Sequence, residues 1–263
     1  MKKLALLALL VGAAVGAQAQ SSLVFDSMTG TTFTFTGSTP RNMTGGVFNF
    51  GATAGTGPVA LTGMDFSFAN FTTAATYSTV RFDVTFFNAA NPAATGTTPV
   101  FSTPVASTFF TLSNFAAAAN NRYTFQNTVP GSAPGVTFGA PITLTNLNNV
   151  GVQILVRTET TAGAGLVSNP NLSIALSSVT PPVIGSSSLN GFLRNASQPN
   201  PTDSSTSLLG SDLRSLNDAT GTAVPNVGVA MRLYTAAPVP EPATMAVLGL
   251  GAAALLRRRR KSA

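Results

Sequence analysis

The 263-residue chain contains no cysteine, no histidine and no tryptophan, and only 8% of its residues are charged. Without cysteine there is no disulfide framework, no thiolate metal site and no thiol nucleophile, so any fold is held by packing and hydrogen bonds alone. Without histidine the usual general base near neutral pH is missing, along with every Ser-His-Asp arrangement and imidazole-ligated metal. Nucleophile-elbow, Walker, zinc-protease and EF-hand patterns are absent as well. With no tryptophan and only Tyr77, Tyr123 and Tyr234 as tyrosines, the aromatic platforms on which sugar binding leans are scarce, and each tyrosine is read as a strand or edge residue.

Two kinds of chemistry stay open. Asp26, Asp65, Asp83 and Glu159 could meet as the paired carboxylates of a hydrolase. The expectation is instead that they are structural, as with Arg81 and Asp83, which stand two residues apart on one strand face. Asp203 and Asp212 could contribute to a structural calcium site, but no dense Asp-x-Asp loop surrounds them, so a solvated loop is expected. The reading is therefore no catalytic residue, no cofactor and no metal ligand.

The formal charge of +6 is concentrated at the ends. Lys2 and Lys3 open the chain, Arg257 to Lys261 nearly close it, and Glu241 lies between. The body carries seven arginines (41, 81, 122, 157, 194, 214, 232) and seven acids (Asp26, Asp65, Asp83, Glu159, Asp203, Asp212, Asp218), so it is neutral. The basic stripe that nucleic-acid binding requires is not there, and nucleic acid is excluded as a partner.

What the chain does have is an address at each end. A basic Met1-Lys2-Lys3, an apolar run from Leu4 to Val15 and the small-x-small site Ala17-Gln18-Ala19 read as a signal peptide over 1–19, cut by signal peptidase after Ala19. At the other end Pro238, Pro240 and Pro242 remove three N–H donors and stop any strand or helix. Ala243 to Leu256 then runs 14 residues without charge before Arg257, Arg258, Arg259, Arg260 and Lys261, a stop-transfer block that the positive-inside bias keeps in the cytoplasm. A helix of that length reaches about 21 Å, short of a hydrocarbon core of roughly 30 Å. A temporary hold in the inner membrane is expected, not lasting anchorage.

Val239-Pro240-Glu241-Pro242, the Gly/Ala/Leu-rich helix and the Arg-rich end resemble the PEP-CTERM sorting signal of Gram-negative bacteria. The resemblance covers residues 237–263, about a tenth of the chain. It implies export, with Val239, Pro240, Glu241 and Pro242 recognised by an exosortase-type processing enzyme. It further implies transient membrane retention, removal of the tail, and a final location at the cell surface or outside the cell.

Between the addresses, residues 20–236 read as β-structure. Thr31–Thr36 alternates Phe33 and Phe35 with threonines; Val80, Phe82, Val84 and Phe86 line one face, as do Val150, Val152, Ile154 and Val156. That two-residue period marks half-buried strands. Leu23–Asp26, Arg122–Gln126, Pro141–Thr145, Leu172–Leu176, Ser188–Arg194 and Asn226–Thr235 are further strands. Gly45-Gly46 reads as turn punctuation, and the apolar phase changes at Gly63, where a bulge is expected. Phe115–Ala119 and Leu208–Leu216 carry weak helical spacing, and Gln198–Ser207 is a polar loop. Ten to twelve short strands with turn signals between them predict an all-β fold, a single jelly-roll-like β-sandwich flanked by the signal peptide and a short hydrophobic C-terminal helix. Few Lys or Glu guard the strand edges, which leaves them prone to self-pairing.

The function that follows is a non-enzymatic exported surface or extracellular-matrix protein, processed by an exosortase and associated with exopolysaccharide or biofilm. The alternatives are a carbohydrate-binding module of the matrix and, behind it, the carboxylate hydrolase. Intact mass of the protein recovered from the cell surface should correspond to a chain beginning at Gln20 and lacking the tail; a mass retaining residues 1–19 would overturn the signal-peptide reading.

Overall fold

A computed structural model of the chain describes residues 22–29, 33–34, 43–50, 58–70, 72–87, 104–127, 133–168, 171–177, 184–187, 192–195, 211–214 and 228–236. The first half supplies β1 (Ser22–Asp26), β2 (Phe33–Thr34), β3 (Met43–Asn49), β4 (Val59–Asn70), β5 (Ala75–Phe87) and β6 (Pro104–Ala117). Next come β7 (Asn121–Phe125), β8 (Val136–Leu144), β9 (Val150–Glu159), β10 (Val167–Ser168), β11 (Leu172–Ile174) and β12 (Leu176–Ser177). The last are β13 (Ser186–Ser187), β14 (Phe192–Asn195), β15 (Ser211–Arg214), β16 (Gly228–Val229) and β17 (Met231–Thr235). No helix occurs among the described residues. All the strands belong to one unit, Ser21–Thr235; of the second unit, formed by residues 1–20 and 236–263, only Ala236 is described.

The pairing is that of a long hairpin rolled up. In chain order β1 pairs with β17, β3 with β9, β4 with β8 and β7, and β5 with β6, all antiparallel. Two further ladders, β17 on β4 and β9 on β5, close this strip into two sheets. One sheet runs β1-β17-β4, with β7 and β8 beyond β4; the other runs β15-β14-β3-β9-β5-β6. First strand against last and middle against middle, with the two halves curled over each other, is a jelly roll. A small third sheet, β16-β12-β2, lies where two strand paths break. At those breaks the Ala230 N–H donates to the Ala175 carbonyl at 2.9 Å, and the Ala175 N–H to the Ser67 carbonyl at 2.8 Å. The chain thus changes sheet without leaving these backbone donors unpaired.

The core lies between the two main sheets and follows the alternation. Val80, Phe82, Val84 and Phe86 of β5 and Val150, Val152, Ile154 and Val156 of β9 are all fully buried, facing Leu61, Met64, Phe66 and Phe68 of β4. Phenylalanines join the sheets: the Phe82 ring lies 5.2 Å from Phe66, 4.9 Å from Phe68 and 5.1 Å from Phe110, in edge and stacked arrangements. Such pairs add about 0.5–1.5 kcal/mol each beyond their area burial. Without disulfides, this aromatic contact is the main inter-sheet fastening.

Several local expectations are corrected. Gly45 and Gly46 are not a turn but the middle of β3. A Cβ at Gly46 would come within 2.5 Å of the Phe48 ring, so the glycine makes room for that ring inside the strand. Phe115–Ala119 is not helical: β6 runs to Ala117, because Tyr77 and Ala75 of β5 pair with Phe115 and Ala117 and Phe115 packs on Phe68 and Tyr123. Tertiary pairing overrides the helix propensity of four alanines. Ser211–Arg214, within the other weak helical stretch, is a strand paired with β14. Pro104 is the first residue of β6, a position where a missing N–H is tolerated. The expected irregularity at Gly63 is present, as the β4·β8 register shifts between Leu61 and Gly63. Phe35 and Gln198–Ser207 lie outside the described residues.

The glycine environments yield a direct contrast. A Cβ at Gly63 would stand 2.3 Å from the Val136 carbonyl oxygen, whereas one at Gly139 meets nothing within 4 Å. Gly63→Ala should therefore lower unfolding free energy by about 1–3 kcal/mol, as over-packing does, and Gly139→Ala should stay within about 0.5 kcal/mol, both read by urea denaturation.

Candidate functional site

The residue that alternation misplaces most is Arg232. On β16 and β17, Val229, Met231 and Leu233 point into the core as expected, but Arg232 and Tyr234 on the other face of β17 are also buried, at 6% and 0% exposure. The register explains how a guanidinium can be buried there. Asp26 of β1, Arg232 of β17 and Asp65 of β4 are direct cross-strand partners, three residues in a row across three strands. Arg232 Nε lies 3.2 Å from Asp26 Oδ2 and Nη1 3.3 Å from Asp65 Oδ2, while Nη2 donates to Thr29 Oγ1 at 3.0 Å.

The carboxylates are satisfied from other sides too. Asp65 accepts the Tyr234 hydroxyl at 2.7 Å and the Gly135 N–H at 2.6 Å. Asp26 accepts the N–H groups of Met28 and Thr29 at 2.8 and 3.0 Å, and the Thr29 hydroxyl. Burial works against the charge on Arg232, but the Asp26 charge and the hydrogen bonds to Asp26 and Asp65 outweigh it and hold the guanidinium above its ordinary pKa. Nearby, Ser27 Oγ sits within hydrogen-bond reach of the Val229 and Met231 carbonyls, at 2.9 and 3.1 Å.

A second charged group occupies the outer face of the other sheet. Asp83 is held by Arg81 at 2.8 Å and by Arg157 at 2.7 Å, and the Arg81 guanidinium lies 3.8 Å over the ring of Phe109. The expected Arg81–Asp83 pair is therefore present, with Arg157 as an additional partner. Because Met64 and Phe66 flank Asp65 while Phe82 and Val84 flank Asp83, and all four face the core, the two aspartates stand on opposite outer faces with the whole core between them. They do not form a carboxylate pair. Asp26 and Asp65 are brought together, but by the arginine that neutralises both.

Glu159 closes the β9·β10 hairpin, accepting the Gly165 N–H at 3.0 Å and the Thr79 hydroxyl at 3.2 Å. The Gly165 N–H lowers its pKa most; slight desolvation acts the other way, and Thr79, Gly163 and Ser78 lower it further. Among the described residues no group of three or more acids could hold a metal. Tyr77 and Tyr234 are buried and Tyr123 stacks on Phe68, so none presents an open ring.

The first and last strands of the first sheet, β1 and β17, are neighbours, and Ser22 is paired with Thr235. The chain thus enters the sandwich and leaves it at adjacent positions on one ladder. Ala17, Ala19, Val239, Pro240, Glu241, Pro242 and the block Arg257, Arg258, Arg259, Arg260 and Lys261 all lie outside the described residues. Residues 238–261 match the family model of the PEP-CTERM protein-sorting motif. The chain carries a PEP-CTERM sorting motif. Its presence marks an exported protein that an exosortase processes, with a membrane-anchoring C-terminal signal. No curated protein matches the chain. The PEP-CTERM match begins at Pro238, so only Ala236 and Ala237 separate it from Thr235, three residues beyond the buried arginine.

Two outcomes test this account. Arg232→Ala strands two buried carboxylates and should lower unfolding free energy by about 3–5 kcal/mol; a loss under about 1 kcal/mol, the ceiling for an exposed pair, would mean that the ion row is solvated. Glu159 has a depressed pKa, so its contribution is present above the ordinary value of 4.5 and is lost as pH falls through the folded value. Amide exchange at Gly165 should therefore speed up on acidification beyond the intrinsic trend, and Glu159→Gln should remove that excess.

Proposed function

We propose that this is a non-enzymatic surface or matrix protein, held briefly in the inner membrane by its C-terminal segment, released by an exosortase, and retained outside the cell with exopolysaccharide or biofilm material. The observation that carries the reading is the sorting motif at residues 238–261. Further support comes from the carboxylates: Asp26, Asp65 and Asp83 are each bound to arginine and Glu159 to backbone and hydroxyl donors, which leaves none placed as a general acid opposite a nucleophile. The neutral, hydroxyl-rich body suits retention in a hydrated polysaccharide by many weak hydrogen bonds, not by ionic capture.

The attachment point favours the same picture. With Ser22 beside Thr235, signal peptide and sorting tail are both tethered to one end of the β1·β17 ladder. During export the folding body would hang from the membrane by that ladder, and removal of the tail would free it without disturbing the core.

Fractionation of the producing cell tests the proposal. Wild-type protein should be found outside the inner membrane without its tail. Glu241→Ala, which spoils the Pro-Glu-Pro recognition residues, should leave a heavier form in the membrane fraction. Soluble cytoplasmic protein, or tail removal unaffected by Glu241→Ala together with changes at Pro240 and Pro242, would overturn it.

A further inference from the structure

β6 ends the second sheet. Pro104–Ala117 is a 14-residue strand whose only partner strand among the described residues is β5. Ala106 to Ser113 pair with Phe86 to Thr79 without a break. The irregularities lie at the two ends, where the register shifts past Val105 and Asn114 takes a φ of 51°. Edge strands in monomers are normally blunted by a charge, a proline or a bulge within the strand. Here the eight central residues, Ala-Ser-Thr-Phe-Phe-Thr-Leu-Ser, contain none of these. Among the described residues no second strand pairs with them, along an edge about 27 Å long at 3.4 Å per residue.

The side chains are unfinished in the same sense. On the inward face Ala106, Phe110, Leu112 and Phe115 pack against the core yet stay only partly buried. On the outward face Phe109 is 57% exposed, the most open aromatic among the described residues. Ser107, Thr111 and Ser113 flank it in the exposed row. One more strand beside β6 would cover both rows.

We propose that the occupant is β6 of a second copy, paired antiparallel about a two-fold axis normal to the sheet near Phe109, so that the eight-stranded sheet that β6 ends continues into its twin. The edge is self-complementary. A two-fold at Phe109 sets Ser107 of one copy against Thr111 of the other and Phe109 against itself, and hydroxyl and aromatic cross-strand pairs are favourable. No charge lies anywhere on the strand, so nothing repels an identical partner, and the nearest arginine, Arg81, is already engaged by Asp83 and by the Phe109 ring. Every copy carries the same sorting motif and is delivered to the same surface, which raises the local concentration at which pairing occurs. This isologous contact closes on itself and yields a dimer, not a filament.

The test uses the full chain in detergent micelles, read by analytical ultracentrifugation. Wild type should sediment as a dimer. The double variant Ser107→Lys/Thr111→Lys should halve the apparent protein mass with an unchanged β-type circular dichroism spectrum, and Ser107→Glu/Thr111→Glu should do the same. Mixing the two variants in equal amounts should restore the dimer, since each lysine then faces a glutamate. A second reading exploits the cysteine-free sequence: Phe109→Cys should cross-link to a disulfide dimer under mild oxidation, whereas Thr160→Cys on the exposed β9·β10 turn should not. A monomeric wild type, a lysine variant that stays dimeric, or equal cross-linking at both cysteines would overturn the proposal.

Discussion

A rolled hairpin exists only if its first and last strands find one another, and in this chain that meeting is governed by a guanidinium shared between two aspartates. Arg232 lies 167 residues from Asp65 in the chain and still further from Asp26, yet the three stand side by side across β1, β17 and β4. A one-residue slip of β17 would turn Arg232 into the phenylalanine core and Leu233 out of it. Charge and hydrophobicity therefore specify the same register. The cost of desolvating three charges is offset by the ion pairs and by hydrogen bonds from Tyr234, Met28 and Gly135 and to Thr29, while Arg232 Nε makes only the ion contact with Asp26; neighbouring hydrogen bonds of this kind are what make a buried ion cluster tolerable.

The rest of the fold is consistent with that closure. Contacts between distant parts of the chain dominate, as expected of a jelly roll, a topology in which loop-closure entropy must be met before the pairing rewards it. The strand that completes the sheet is the one that hands over to the sorting motif, only two residues further on, so completion of the fold and presentation of the tail concern adjacent peptide.

Much of this was legible in residues taken one strand at a time. Phe82 and Val84 alternate with Arg81 and Asp83 so cleanly that strand, face and ion pair could all be read from four positions. The bulge at Gly63 could be read from a change of phase. The buried role of Arg232 could not, because alternation assigns a charged residue to the solvated face and says nothing about acids arriving from other strands. Its one signal was weak: in a body with seven arginines, a charged residue inside an otherwise apolar closing strand needs a partner. Gly45-Gly46 and Phe115–Ala119 misled for a related reason, since local propensity favours turn and helix there while β9, β14 and β5 impose pairing from outside.

The amino-acid sequence by itself determined the destination and the class of this protein. Sorting signals are linear, read by enzymes and membranes as a run of charges, prolines and apolar residues before any fold exists, and a two-residue period makes strands whatever their order. Only the tertiary structure decided which strands are neighbours, that Asp65 and Asp83 stand on opposite faces and not in one site, that Ser22 and Thr235 are paired, and that β6 has no second partner strand among the described residues. Those are properties of register and strand order, and they arise from contacts between residues that the chain keeps far apart.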